Sequence, residues 1–218
     1  RNTNQKSKDY GEIAKKPRPG HADWAGLSRY NGFNDIRGGG HFSGRITAPL
    51  VFAGAVAKQI LKEKGILIAA HVKSIKDIQD RDFEEKDITQ ENIDRLRNMI
   101  LPVLNENIVP DMEKTILKAK EEKNSVGGIV EIMITGIKAG IGDPFFESME
   151  SELSRMIFSV PATKGIEFGA GFGITEMTGY EANDEMFFDE NGNIKSYTNN
   201  NGGIIGGITT GMPISFKV

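Results

Sequence analysis

The stretch of the sequence richest in chemical groups is RPGHAD, from Arg18 to Asp23. It places a guanidinium, a rigid turn, an imidazole and a carboxylate within six residues. Pro19 fixes its own φ and restricts Arg18, while Gly20 permits a turn that a side chain would disfavour. His21 is therefore held in place locally, and such an imidazole is a good proton donor or acceptor near neutral pH. The alternative interpretation is a loop histidine satisfied by a backbone group.

A second stretch, DIRGGGHFSGRITA, directly precedes a strongly apolar segment. Its free backbone N–H groups, the hydroxyl of Ser43 and the guanidiniums of Arg37 and Arg45 can converge on one anion such as a phosphate. A P-loop is excluded because no Gly-Lys-Ser/Thr follows at the required spacing, and the glycines do not follow a strand as in a Rossmann unit. The alternative is a glycine-rich connector with solvated arginines.

Metal binding and carboxylate catalysis are poorly supported by the remaining polar residues. The three histidines, His21, His41 and His71, lie far apart, and none has a partner at metal-ligand spacing. We therefore predict no metal site. His71 lies in an apolar strand pattern and is expected to be structural. Asp184 and Glu185 are expected to be solvated charges of a hairpin.

Composition narrows the partners that this chain can have. Its 218 residues include 27 basic and 30 acidic side chains, so the net charge of -3 provides no field to hold nucleic acid or an anionic membrane. Cysteine is absent, which excludes disulfides, thiolate metal sites and cysteine nucleophiles and favours a reducing compartment. No apolar run approaches the roughly 18 residues that span a bilayer. We expect a cytoplasmic protein.

The elements that must position these residues follow from the hydrophobic pattern. TAPLVFAGAVAKQILKEKG predicts a helix with Thr47 as its N-cap and Gly65 as its stop, buried because it is apolar nearly all round. ILIAAHV predicts a short buried strand, and VGGIVEIMITGI alternates as a half-buried strand does.

Weaker patterns complete the prediction. Residues before 40 are expected to form loops with short elements. Further helices are expected over 88–104, kinked or ended by Pro102, over 111–123 and over 147–158. Short strands follow from Gly165, with a hairpin tip at 189–193. Helices mixed with antiparallel strands predict an α+β fold.

Five stretches, taken together and in order, resemble the chorismate synthase family over nearly the whole chain. They are RPGHAD, RGGGHFSGR leading into the apolar helix, GIGDPFF, VPATKGIEFGAGF and NGGIIGG. Each stretch alone is a weak signal, but their order makes the resemblance specific.

The resemblance implies a fold, an activity and partners. The fold is a helical layer sandwiched between antiparallel β-sheets, with residues 1–218 forming a single domain that is an incomplete core. The activity is the 1,4-anti elimination of phosphate from 5-enolpyruvylshikimate 3-phosphate to give chorismate in the shikimate pathway. It depends on reduced FMN, without net redox change. The enzymes of this family are usually homotetramers.

Site residues also follow from the resemblance. Its implied catalytic residues are His21, Arg18 and Arg45, with His21 donating to the flavin and Arg18 facing the substrate. The implied cofactor contacts are His21, Ser43, Gly44, Arg45, Pro161, Ala162 and Gly206.

Several departures from the family pattern qualify what we expect of this chain. Gly44 replaces a commoner alanine, Pro161 stands where some members have asparagine, and His41 with Phe42 stands where Arg-Ser is frequent. The family segments Gly-Glu-Ser-His-Gly and Arg-x-Asp-Pro are absent from the sequence. We therefore expect a central portion of the enzyme with little or no turnover by itself. The alternative is a non-catalytic scaffold or assembly domain of the same fold.

Overall fold

A computed structural model describes residues 16–35 and 37–218. The chain forms two compact units. The first contains the described residues up to Ala55 together with Val160–Ala162. The second contains Val56–Ser159 and Thr163–Val218.

The first unit contains more regular structure than its loop-like sequence predicts. Helix α1 spans Asp23–Arg29, and two 3-10 turns span Arg37–Phe42 and Gly44–Thr47. Ser43 caps the second turn, because its Oγ accepts from the backbone N–H of Arg45 at 3.2 Å. Thr47, the predicted cap, instead donates its hydroxyl to the carbonyl of Gly44 at 2.6 Å. The predicted N-cap was therefore wrong.

Helix α2 spans Ala48–Glu63 and passes from the first unit into the second. Its predicted extent is confirmed, with Gly65 beyond its end at a left-handed φ of +75°. The prediction that it is buried is wrong, since the described residues bury none of its side chains. Val51, Phe52 and Ile60 are 69%, 74% and 55% exposed. Apolar composition drives a helix toward burial, but the described part of the chain packs too little against it.

The second unit contains nine strands, which are β1 Leu67–Ile75, β2 Ile78–Gln79, β3 Gly128–Thr135, β4 Glu167–Phe168, β5 Met186–Phe188, β6 Ile194–Ser196, β7 Ile204–Ile205, β8 Ile208–Thr209 and β9 Ile214–Lys217. Five of them form an antiparallel sheet with the order β2-β1-β3-β9-β4. Two hairpins, β5 with β6 and β7 with β8, accompany it. The predicted mixture of helices and antiparallel strands is confirmed.

Four helices complete this unit. Those expected over 111–123 and 147–158 are present within two residues of their expected bounds. The helix expected over 88–104 is present but shorter, because it ends at Asn98, before the predicted break at Pro102. The helices are α3 Gln90–Asn98, α4 Val109–Glu121, α5 Met149–Ile157 and α6 Gly179–Ala182.

Both faces of the sheet carry a hydrophobic core. On one face, Ala69 and Met133 pack with Phe83, Ile88 and Leu96, the last of which belongs to α3. On the other, Ile134, Ile214 and Phe216 form a core against which Met149, Leu153 and Ile157 of α5 pack. Strand β3 is therefore covered on both sides where it pairs with β9, and the expectation of a half-buried strand was wrong there.

The hairpin at 189–193 is confirmed, with Gly192 at φ +78° in its tip. Asp184, expected to be solvated, is half-buried. Its carboxylate accepts from the Thr198 hydroxyl at 2.7 Å, and from the backbone N–H groups of Asn200 at 2.7 Å and Asn201 at 2.9 Å. The charge therefore organises the 198–201 turn, and the expectation of solvation was wrong because a local pattern does not reveal these donors.

Candidate active site

The RPGHAD loop is closed by its own side chains. Arg18 donates from Nε to Oδ2 of Asp23 and from Nη2 to Oδ1, both at 2.8 Å. The backbone N–H of Arg18 also donates to Oδ2, at 2.9 Å. These bonds to the Arg18 guanidinium and backbone hold the pKa of Asp23 well below its usual range. The loop therefore carries a fixed carboxylate and a fixed guanidinium.

His21 lies in the turn that these two residues close. Its backbone N–H donates to the carbonyl of Arg18 at 3.3 Å, and Gly20 has a left-handed φ of +74°. The His21 side chain is exposed. Its backbone is therefore set by the loop, while its ring is accessible to a ligand.

Ser43, Gly44 and Arg45 lie at the 3-10 turn before α2. Gly44 and Arg45 are exposed, and Ser43 is half-buried. A Cβ added at Gly44 would meet none of the described atoms within 4 Å. The turn therefore presents a hydroxyl, an accessible backbone and a guanidinium on one short segment.

Pro161 and Ala162 are distant in sequence from these loops but belong to the same compact unit. Ala162 has a φ of +71°, a left-handed conformation that costs a residue with a Cβ about 1 kcal/mol or more. Both residues are exposed. Strained backbone conformations cluster at functional sites, so a left-handed Ala162 in an exposed turn is consistent with a role in ligand binding.

Gly206, the remaining predicted contact, belongs to the second unit. Its neighbour Gly207 meets the GIGDPFF segment, where a Cβ on Gly142 would stand 2.3 Å from the carbonyl oxygen of Gly207. That carbonyl also accepts from the backbone N–H of Met149 at 2.9 Å. Two of the motifs are thus joined by main-chain contact, and the role of Gly206 stays a prediction.

Two residues important for these loops were not predicted from the sequence. Asp23 was visible within RPGHAD as a carboxylate, but nothing in the motif assigns it to Arg18. Thr209 is 3% exposed, donates its hydroxyl to the carbonyl of Lys138 at 2.7 Å and accepts from the N–H of Ile141 at 2.9 Å. Because its partners are about 70 residues away in the chain, no local signal identifies it.

His71 is buried and structural, as expected from its strand. Its Nδ1 lies 3.2 Å from Oδ2 of Asp80, and its Nε2 lies 2.7 Å from Oε2 of Glu131. Both ring nitrogens therefore lie within hydrogen-bonding distance of a carboxylate oxygen. Phe83 lies edge-on to the ring, with centroids 4.5 Å apart. This network connects β1, β3 and the segment after β2.

Within residues 16–35 and 37–218, no three His, Cys, Asp or Glu side chains cluster as a metal ion would require. No described helix has the length and apolar character needed to cross a bilayer.

Comparison with known proteins gives one consistent result. The family model for chorismate synthase matches residues 1–218. The chorismate synthase of Pyrococcus abyssi is 44% identical over 209 residues, covering 96% of this chain. That of Methanocaldococcus jannaschii is 42% identical and covers 100% of the chain. The crystal structure of a chorismate synthase matches with a TM-score of 0.78 and 30% identity, over 89% of this chain and 62% of that one.

The likeness confirms the α+β fold expected from the sequence motifs. The chain spans 56% of the Pyrococcus abyssi protein and 59% of the Methanocaldococcus jannaschii protein. Since a family model that matches every residue agrees with relatives above 40% identity and with a solved fold, this chain belongs to the chorismate synthase family.

Proposed function

We propose that the chain carries the cofactor- and substrate-binding part of a chorismate synthase. The reaction is the elimination of phosphate from 5-enolpyruvylshikimate 3-phosphate to give chorismate, in the shikimate pathway of aromatic amino acid biosynthesis. A carbon-oxygen lyase of this kind must hold an anionic substrate and cleave its C–O bond to phosphate. One observation carries the proposal: seven of the eight predicted site residues, all but Gly206, fall in one compact unit.

The substrate chemistry fits the charges of that unit. The substrate bears a phosphate and two carboxylates, which guanidiniums bind in a bidentate geometry. Arg18 and Arg45 are the arginines proposed to do so. Arg18 is already oriented by Asp23, and Arg45 is exposed beside the capped turn. Their role is to bind and orient the anion before the elimination begins.

Reduced FMN fits the same donor set. The imidazole of His21, the hydroxyl of Ser43 and the guanidinium of Arg45 are groups that donate to flavin nitrogen and oxygen atoms and to a phosphate. The left-handed turn at Ala162 and the open space around Gly44 leave backbone that a planar ring can approach. When bound, reduced FMN supplies an electron-rich ring for an elimination without net redox change.

His21 is proposed to donate a proton in a hydrogen bond to the flavin edge. Its rigid backbone position restricts the directions that the ring can take, and a preorganised donor costs little reorganisation when charge develops. The proton stays at the imidazole nitrogen and stabilises the anionic reduced cofactor. Rigidity of the RPGHAD loop therefore serves binding of the cofactor.

Assembly, domain organisation and location are also proposals. We propose a single domain over residues 1–218, a homotetramer and a cytoplasmic enzyme, as the resemblance implies. The exposed apolar side chains of α2 support the presence of further covering protein. The competing function, a non-catalytic assembly domain, is supported by the same exposed helix, and the two differ in whether flavin binds.

A binding experiment distinguishes these functions. Reduced FMN is titrated anaerobically into the wild-type chain, into His21→Asn and into His41→Asn, which alters another exposed histidine of the same unit. We expect His21→Asn to raise the Kd by about tenfold, the loss of one hydrogen bond to a charged group, while His41→Asn stays within about twofold. Absence of binding to the wild type would favour the assembly domain.

Turnover is tested separately. Release of phosphate and formation of chorismate are measured with the 218-residue chain and with a protein of the relatives' length that contains it. We expect little turnover from the former and His21-dependent turnover from the latter. Normal rates from the 218-residue chain would contradict the expectation that it is a central portion.

A further inference from the structure

Asp23 is the charged residue of the RPGHAD loop to which the proposed function gives no contact with substrate or cofactor. Its carboxylate forms a bidentate pair with the guanidinium of Arg18, with both N to O distances at 2.8 Å. The same carboxylate accepts from the Arg18 backbone N–H at 2.9 Å. One side chain thus fixes both the main chain and the guanidinium of Arg18.

The pair is partly removed from water. The side chains of Arg18 and Asp23 are 32% and 22% exposed. Arginine has many rotamers, and confining its side chain to one of them costs free energy. Because the pair with Asp23 already confines the Arg18 side chain, a ligand that binds there does not meet that cost again. The low pKa of Asp23 keeps its carboxylate ionised across the neutral range, so the pair persists there.

His21 depends on the same closure. The turn that places it starts at the carbonyl of Arg18 and includes the left-handed Gly20. Asp23 links Arg18, at the start of this turn, to the first residue of α1, two positions beyond His21. Loss of the carboxylate therefore removes three hydrogen bonds that fix Arg18 and the loop that carries the imidazole.

We propose that Asp23 is a positioning residue, which orients Arg18 toward the phosphorylated substrate and fixes the loop that presents His21 to the flavin. This inference rests on the proposed function and extends it to a residue that acts only through its neighbours. Its contribution is geometric: it provides no contact to the substrate or cofactor.

The chain contains a matched control for this pair. Arg81 and Asp87 also form a bidentate pair, in the second unit, with Nη1 and Nη2 of Arg81 donating to the carboxylate at 2.6 and 2.9 Å. Asp87 also accepts a backbone N–H, that of Glu84, at 2.9 Å. Removing that carboxylate perturbs an equivalent closed loop that has no proposed ligand.

The experiment compares Asp23→Asn with Asp87→Asn in the full chain. Anaerobic calorimetry gives the Kd of reduced FMN and of 5-enolpyruvylshikimate 3-phosphate. Amide hydrogen exchange of the ligand-free protein reports the loop at 18–23. We expect Asp23→Asn to raise both Kd values about tenfold and to speed exchange at the His21 amide. Asp87→Asn should leave both Kd values within about twofold of the wild type.

A residue that only stabilised the fold would lower the folded fraction without changing the Kd of the folded protein. Unchanged Kd values in Asp23→Asn, or equal weakening in Asp87→Asn, would overturn the proposal. Should Asp23→Asn fail to fold, Arg18→Lys keeps the charge but loses the bidentate pair. It should weaken FMN binding through the loop, and unchanged FMN binding would overturn the proposal.

Failure of the proposed function gives a different result. A wild-type chain that binds neither ligand would refute that function. Exchange at the His21 amide would still show whether Asp23 fixes the loop. Exchange that is faster than wild type in Asp23→Asn but not in Asp87→Asn supports the positioning role, and exchange in Asp23→Asn equal to that of the wild type overturns it.

Discussion

Replacing Glu131 with glutamine perturbs the buried network between β1, β3 and the segment after β2. Glu131 is 4% exposed. Its Oε2 accepts from Nε2 of His71 at 2.7 Å and from the backbone N–H of Phe83 at 2.9 Å. Glutamine has nearly the same shape, so no cavity forms. Its acceptor oxygen has no formal charge, so both hydrogen bonds lose their ionic component.

The magnitude follows from these two bonds. A hydrogen bond to a charged group contributes about 1.5–3 kcal/mol and a neutral one about 0.5–1.5 kcal/mol, so each bond loses about 1–1.5 kcal/mol and the two together lose about 2–3 kcal/mol. The ring of His71 keeps Asp80 as a partner at 3.2 Å. The loss therefore stays below the roughly 3–5 kcal/mol that removing one partner of a buried ion pair costs. We expect the free energy of unfolding to fall by about 2–3 kcal/mol.

Urea unfolding followed by far-ultraviolet circular dichroism measures this change. The control is Glu152→Gln, which alters an ion pair with Arg155 at 2.6 Å whose side chains are 41% and 73% exposed. Exposed pairs contribute little, so we expect that control to lose at most about 0.5 kcal/mol. An equally small loss for Glu131→Gln would refute the view that charged hydrogen bonds at this carboxylate stabilise the sheet.

Three further outcomes are expected. Gly44→Ala should fold and bind reduced FMN within about twofold of the wild type, because the added Cβ meets no described atom within 4 Å; a titration showing much weaker binding would contradict this. Ala162→Gly should raise the free energy of unfolding by about 0.5–1 kcal/mol in urea, since glycine tolerates φ +71°. Burial raises the pKa of Asp184, but hydrogen bonds from Asn201 and Thr198 lower it by more, so the pKa lies below its usual value. The stability that this group contributes is complete above the unfolded pKa of about 3.9 and is lost as the pH falls through the lower folded pKa. Unfolding measured between about pH 5 and 2 should therefore show a shallower loss in Asp184→Asn, and identical slopes would contradict the assignment.

Local sequence patterns predicted the elements of this protein well. The bounds of α2 follow from an apolar run, the lysines near its end and the stop at Gly65, and the hairpin at 189–193 follows from Asn191-Gly192. Such signals depend on φ, ψ and side-chain periodicity over a few residues, which the sequence contains directly. The family likewise follows from the order of five short motifs.

Local patterns did not predict which side chains are buried or which distant residues they contact. Glu131 alternates along β3 as a solvent-facing residue would, but strand register places it opposite His71, and the segment after β2 covers it. Helix α2 has the composition of a buried helix, yet the described residues leave it exposed. Whether a side chain is covered depends on chain segments that pack from elsewhere, and periodicity does not identify them.

The sequence by itself determined the helices and strands, the family and the residue types proposed for the site. The tertiary structure alone decided that Val160–Ala162 join the unit containing RPGHAD, that Ala162 is left-handed, and that Asp23 holds Arg18. For Val160–Ala162 the physical reason is range, because contacts across about 120 residues exist only after strand pairing and core packing have brought distant segments together. For Asp23, five residues from Arg18, the reason is the choice of partner: the motif contains several polar groups, and only the folded loop decides which of them the carboxylate binds.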